Sequence, residues 1–357
     1  MIINSLDNDS RRILIDASQV YEVYLEVDRQ YRDYKGSMKW IKRNGKEYLF
    51  RRRNSRGDGR SLGARDERTQ EIYRQFYEKK NELTSKRKSL IAELRRHRGY
   101  CQAAGVANVP KVTADIVRII QQAKQPGSSS ALIVVGTNAM FAYENMAGVR
   151  FERKIMTTID IDFLWDVRQK LSLAGDGSHR NTRLLPLLKK ADKTFARLSN
   201  TPFRAANEKG FMVDLIKSAP ANVHKTTPSL ISSDKNDLVA AEIRNLDWLY
   251  AASPVSATVF GSDGFPVVFD VPDPRVFAAH KLWLSEQQDR APLKKTRDRE
   301  QGLAVLRLLK EYLHNYSPDA EELRGLPLTL RNKMLEEYDR LDVDWDNESV
   351  PAPGFEI

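Results

Sequence analysis

Between residues 10 and 33, apolar and charged positions alternate around Tyr21, Tyr24 and Tyr31, a pattern that predicts one or two helices. From Gly36 the texture changes. Met38, Trp40 and Ile41 lead into Asn44-Gly45, and Tyr48-Leu49-Phe50 follow. Asn-Gly supplies the left-handed backbone that a two-residue hairpin turn needs, so the spacing predicts paired strands. A second turn at Gly57-Asp58-Gly59, then Ser61-Leu62-Gly63, extends this to a small β-meander over about 36–63. Next, Ile72, Phe76, Leu83, Leu90 and Leu94 recur at steps of 4, 7, 7 and 4 within about 66–98. This is a single narrow apolar seam on a helix roughly 50 Å long. A seam that narrow suits a coiled-coil-like arm or an antiparallel partner better than a buried core helix. A short helix over 112–124 follows, and Gln125-Pro-Gly-Ser-Ser-Ser130 is the clearest linker.

Beyond the linker the pattern becomes that of mixed α and β structure. Strands are expected at 131–135, 158–165 and 211–216, with further candidates at 246–251, 257–260 and 267–271. Helices are expected at 138–146 and 181–195, then at 274–287, 295–315 and 329–341, before an acidic, Pro-containing tail. There is no internal repeat. The expected organisation is a basic module over 1–125, an α+β core with a mixed sheet over 130–273, a helical segment over 274–345 and a tail over 346–357.

Composition narrows the class. Of 357 residues, 41% are hydrophobic and 30% charged, too polar for a membrane protein and too apolar for a chain disordered throughout. At about 100–200 residues per domain, two or three domains are expected. No apolar run approaches the roughly 20 residues that span a bilayer, and the start lacks a secretory pattern. One cysteine, Cys101, excludes an internal disulfide framework and a cysteine-based zinc cluster. The chain reads as soluble and cytoplasmic. Its net charge of +10 is unevenly placed: residues 1–100 hold 25 Lys+Arg against 15 Asp+Glu, and the remaining 33 of each cancel. A polyanion partner or a solvated basic face would both account for that excess.

Three pieces of the α/β region carry chemistry. Gly136-Thr137 ends a strand and opens a helix. Asp160-Ile161-Asp162 lies in an otherwise apolar strand, and Asp214 stands alone among apolar neighbours in 211–216. Residues i and i+2 of a strand share a face, so Asp160 and Asp162 project together while Ile161 and Phe163 point to the buried side. Side-by-side carboxylates repel unless a cation sits between them, which suits Mg²⁺ or Mn²⁺. A third Asp from an adjacent strand would complete a two-metal site for displacement at phosphorus. Gly136 lets the backbone approach a phosphate, and Thr137 offers a hydroxyl and an amide at a helix start.

In this order, Gly136-Thr137, Asp160, Asp162 and Asp214 resemble the signature of the nucleotidyltransferase (DNA polymerase β-like) superfamily. The wider stretches 135–144 and 158–166, with Gly148-Val149, are similar to a bacterial branch of nucleotidyltransferase-fold proteins, as is the basic 36–63 segment. One departure is that Gly136 lies 24 residues before Asp160, about twice the usual gap, with a basic loop inserted at 147–156. Pro274–Leu284 resembles an element of abortive-infection-type toxin nucleotidyltransferases, with Lys281 matching its Lys and Arg297-Asp298 its downstream helix; an amphipathic helix with an exposed Lys fits the same residues equally, and a toxin or defence role is not settled by the sequence. The resemblance implies Asp160, Asp162 and Asp214 as catalytic metal ligands. It places Gly136, Thr137, Asn138, Lys281, Arg297 and Asp298 at the nucleotide. The implied reaction moves a nucleoside monophosphate from an NTP to an acceptor hydroxyl, with tRNA or another nucleic acid as acceptor and RNA favoured over DNA.

For acceptor contact, the basic and aromatic positions Lys39, Trp40, Arg51, Arg52, Arg53, Lys86 and Arg87 stand out, although Trp40, Tyr48 and Phe50 also suit a hairpin core. His97, His179, His224, His280 and His314 lack metal-ligand spacing. Asp166 reads as a strand-end cap, Glu144 as a surface residue and Cys101 as helix-end packing. Two other readings stay open: a glycosyltransferase whose Asp-x-Asp holds a metal and a nucleotide sugar, and a non-catalytic nucleic-acid-binding protein with a transferase-like core.

Overall fold

The computed structural model describes residues 3–52, 59–123, 131–168, 183–220, 229–231 and 234–341. In chain order they form β1 (Ile3–Ser5), α1 (Asn8–Asp33), β2 (Ser37–Arg43), β3 (Lys46–Arg52), β4 (Gly59–Ala64), α2 (Glu67–Ala103) and α3 (Lys111–Ala123). The chain continues as β5 (Leu132–Val135), a 3₁₀ turn (Gly136–Ala139), α4 (Met140–Ala147), β6 (Val149–Phe151), α5 (Arg153–Met156) and β7 (Asp160–Trp165). Then come α6 (Leu184–Ala191), β8 (Ala196–Arg197), β9 (Arg204–Ala206), β10 (Met212–Ser218) and β11 (Ala241–Ile243). A 3₁₀ turn (Leu246–Tyr250), β12 (Val255–Phe260), β13 (Pro266–Val271), α7 (Pro274–Glu286), α8 (Pro292–Glu311), a 3₁₀ turn (Glu321–Gly325) and α9 (Leu328–Arg340) complete it. The fold is α+β. It divides into two compact units, one of Arg12–Val106 with Asp263–Pro266 and one drawn from Met1–Arg11, Ala107–Ser262 and Val267–Ile357.

In the first of these, β2, β3 and β4 form the expected antiparallel meander. Asn44 (φ 47°) and Gly45 (φ 75°) make its hairpin turn in the left-handed region, which is why these two residue types stand there. The long helix α2 starts on a reciprocal cap: Asp66 accepts from the Thr69 amide at 2.7 Å, and Thr69 Oγ1 accepts from the Asp66 amide at 2.9 Å. Phe76, Leu83 and Leu94 of its seam are buried. The expected antiparallel partner is α1, since Tyr34, just past its end, stacks on Phe76 while Asp28, within α1, meets Arg87, later in α2. Cys101 is buried near the helix end.

The other unit holds the sheet that positions the site. Its strand order is β5-β7-β10-β9-β8, with β11 also on β10. Strand β7 lies antiparallel to β5 and parallel to β10. On its other edge, β10 pairs with β9 through Met212–Asp214 and with β11 through Ile216–Ser218. Helix α3 belongs to this unit, which moves the expected boundary at 125 back to about 106. The reason is its apolar face: Ala114, Val117 and Ile120 are buried in the same core as the sheet. The 125–130 linker lies outside the described residues.

Three local expectations change. The strand expected at 246–251 is a 3₁₀ turn, because Leu246 and Leu249, three residues apart, both bury, and that spacing eclipses on a three-residue turn. The basic loop expected at 147–156 is ordered as β6 and α5, with β6 paired to β1. Glu144, expected at the surface, is 1% exposed; it accepts from the Phe151 amide and from Asn108 Nδ2. The insertion folds back over α4 and covers it. Asp166 is buried too and accepts two hydrogen bonds from the Arg168 side chain.

Candidate active site

Register brings the three aspartates to one place. Asp162 of β7 lies opposite Asp214 of β10 and, on its other edge, opposite Val135 at the end of β5. The alternate positions Ile161, Phe163, Val213 and Leu215 are buried on the far face, so the period of two turns Asp160, Asp162 and Asp214 to the near one. Gly136 follows Val135 directly, with φ 66°, and a Cβ there would stand 2.6 Å from Asp162 Oδ2. Glycine is therefore required twice over, by the backbone angle and by the carboxylate beside it. The ends of β5 and β7 are tied together: Asn138 Nδ2 donates to the Asp160 carbonyl at 2.7 Å, and Thr158 Oγ1 donates to the Asp160 carboxylate. Gln301 of α8 donates to Thr137 Oγ1 at 3.1 Å and to the Ile155 carbonyl at 2.7 Å.

These groups open on a cavity of about 950 Å³, large enough for a nucleotide. Asp160, Asp162 and Asp214 line one side, and Lys281, Arg290, Lys294 and Arg297 line another. Burial raises the Asp162 carboxyl to about 7, and the charges of Asp160 and Asp214 add to the effect. Lys281 donates to Asp298 at 2.7 Å and Arg290 donates to its other oxygen at 2.7 Å. Burial pulls the Lys281 ammonium below its ordinary value while Asp298 opposes that shift. Burial, with Lys281 beside it, takes His280 down to about 3, so this imidazole is neutral. Arg204 of β9 grips Asp214 with two hydrogen bonds of 2.7 and 2.6 Å.

A family model described as nucleotidyltransferase matches residues 113–323, more than half of the chain and all of this cavity. The chain belongs to the nucleotidyltransferase family. Comparison with curated proteins and with solved structures found no match. Membership makes this an enzyme of nucleotidyl transfer and sets aside the glycosyltransferase and non-catalytic readings. The basic unit at 12–106 lies outside the matched span.

Within the nucleotidyltransferase, the sequence-chosen residues divide. Gly136, Thr137, Asp160, Asp162, Asp214, Lys281 and Arg297 reach the cavity. Asn138 and Asp298 are buried behind its wall, at 1% and 0% exposure, where they position Asp160 and the Lys281–Arg290 pair. Arg204 and Arg290 were missed, since nothing in their local sequence marks them; they arrive through the β9–β10 register and the α7–α8 packing. Asp160 and Asp162, two carboxylates on one face with raised proton affinity at Asp162, fit a divalent cation as donors. Among the described residues, no group of three or more His, Cys, Asp or Glu side chains is gathered as a metal-ligand set. Asp214 stands beside the pair but its carboxylate is held by Arg204.

The acceptor candidates also divide, between the two faces of the meander. Cross-strand partners share a face, so Met38 and Arg51, like Trp40 and Leu49, lie on the core side. There Trp40 meets Tyr73 under the Arg65 guanidinium, and Arg51 lies over Phe76. The opposite face carries Lys39, Arg43, Tyr48, Phe50 and Arg52, with Arg43 over the Phe50 ring. Lys86 is exposed, and Arg87 is paired with Asp28. Arg53 lies outside the described residues, as do His179 and His224. Among the described residues no helix is long and apolar enough to cross a membrane.

Proposed function

We propose that this nucleotidyltransferase uses Mg²⁺ or Mn²⁺ to transfer a nucleoside monophosphate from an NTP to a hydroxyl of a nucleic acid, RNA in preference to DNA. The observation that carries the reading is the convergence of Asp160, Asp162 and Gly136 on one cavity that also holds Lys281 and Arg297. A divalent cation at Asp160 and Asp162 would offset their repulsion and the charge of the triphosphate. The amide and hydroxyl at Gly136-Thr137 hold phosphate oxygens, while Lys281 and Arg290, fixed in place by Asp298, neutralise the departing pyrophosphate. The acceptor oxygen forms its bond to the α-phosphorus as the bond to the β-phosphate oxygen breaks, and the hydroxyl proton passes to Asp214. The α-phosphate charge is conserved in the new diester and pyrophosphate leaves.

The acceptor half rests on the open face of the meander, where Tyr48 and Phe50 alternate with Lys39, Arg43 and Arg52. Rings that stack on bases, set among cations that meet phosphates, make a surface suited to single-stranded nucleic acid. The test supplies each α-³²P-labelled NTP with Mg²⁺ or Mn²⁺ and total RNA, DNA or protein, beside the Asp160→Asn/Asp162→Asn variant. Label on RNA that vanishes in the variant is the expected result; label on protein alone would replace the acceptor, and label that persists in the variant would remove these carboxylates from the reaction.

A further inference from the structure

The third carboxylate of the site is already occupied. Arg204 and Asp214 are direct antiparallel partners on β9 and β10, so their side chains share a face. The guanidinium covers both carboxylate oxygens, at 2.7 and 2.6 Å, in the two-pronged geometry that Arg alone among the cationic side chains provides. The pair is sheltered: Asp214 is 9% exposed and Arg204 29%. Arg204 also lines the cavity and is held charged by Asp214 first, with Asp160 and Asp162 adding to the attraction. With this clamp closed, both Asp214 oxygens accept a charge-assisted hydrogen bond from Arg204, although Asp214 and Asp162 are register partners.

We propose that Arg204 is a built-in counter-cation that withholds Asp214, so that the resting site takes one divalent ion at Asp160 and Asp162 and admits a second only after the clamp opens. This rests on the metal-dependent reading above. The triphosphate supplies the reason for opening: it brings a competing anion into a cavity that Arg204 already lines, and the guanidinium then has a second partner. Arg204 is a positioning residue in this scheme. It breaks no bond, and its effect is to couple completion of the ion set, and release of Asp214 as a proton acceptor, to nucleotide entry. An enzyme so built does not assemble its full constellation on an empty site.

The experiment titrates the full chain with Mn²⁺ in the absence of nucleotide and counts bound ions by electron paramagnetic resonance. Wild type binds one ion per chain. Arg204→Gln binds two, and adding Asp214→Asn to it restores one. Arg204→Lys, which keeps the charge and lacks the fork, also admits a second ion, about tenfold more weakly than Arg204→Gln; it serves as the folded control if the Gln variant melts early. Two ions in wild type, or a single ion in both Arg204 variants, overturns the clamp while leaving the Asp160–Asp162 reading intact. No ion in wild type overturns both.

Discussion

Gly136 is the position where backbone and chemistry meet most closely. Replacing it by Ala puts a methyl against Asp162 Oδ2 and forces a non-glycine residue to φ 66°. Gly136→Ala is expected to lower nucleotidyl transfer by at least a hundredfold and to cost roughly 1–3 kcal/mol of stability, read from initial rates and a thermal melt. Glu144 gives a pH signature away from the site. Burial pushes its carboxyl from an ordinary 4.5 up to about 7, against the opposing pull of Arg150 and two hydrogen bonds. The folded protein thus holds this proton more tightly than the unfolded chain does. The stabilisation is complete below about pH 4.5 and is lost as pH rises through 7, by roughly 3 kcal/mol at most. Glu144→Gln should fold and should flatten that slope in denaturation curves between pH 5 and 8. A carboxamide there can donate to Asn108 Oδ1, which is buried with no hydrogen-bond partner among the described groups. The aspartates were legible in sequence because a two-residue period assigns a face. The burial of Glu144 was not, because β6 folds back on it and Asn108 reaches it from 36 residues away.

Among elements, the α7–α8 pair decides how the cations are presented. Asp298 of α8 is completely buried and bridges Lys281 of α7 and Arg290 just before α8. Asp298→Asn leaves Lys281 charged and unpaired in a buried setting, which costs about 3 kcal/mol. Because Asp298 does not line the cavity, NTP affinity should fall through disordered cations, roughly tenfold in Kd by fluorescent-nucleotide titration. Unchanged affinity would make the pair purely structural. The sequence pointed to Lys281 and Asp298, though not to Arg290, and assigned Asp298 to the nucleotide itself; spacing along a helix shows which residues share a face, not which of them another helix covers. The hairpin turn at Asn44-Gly45 and the seam of α2 were readable in advance, since turn chemistry and heptad-like spacing are local properties. The 3₁₀ turn at Leu246–Tyr250 was mistaken for a strand because a short, mostly apolar run fits either until its burial pattern is known.

At the scale of the whole molecule, the charge is partitioned. Over residues 12–106, Lys and Arg outnumber Asp and Glu by 24 to 13, while the span matched by the nucleotidyltransferase family lies elsewhere in the chain. The proposed acceptor face makes a prediction about salt. Lys39→Ala/Arg52→Ala is expected to weaken RNA binding and to reduce the slope of log K against log salt by about 1.5, near 0.7 per lost phosphate contact on a single strand. NTP affinity should be unchanged, and a loss of NTP binding would argue against the division of labour. By itself the sequence determined the α+β class, the hairpin, the long helix and the carboxylate pair, because each follows from periodicity or short-range spacing, and its motifs carried the resemblance to nucleotidyltransferases. Tertiary structure alone decided that Arg204 grips Asp214, that Asp298 sits behind the wall and that Glu144 is buried. Those outcomes depend on strand register and on packing between separate elements, where each residue's neighbours are set by the folded core and not by its place in the sequence.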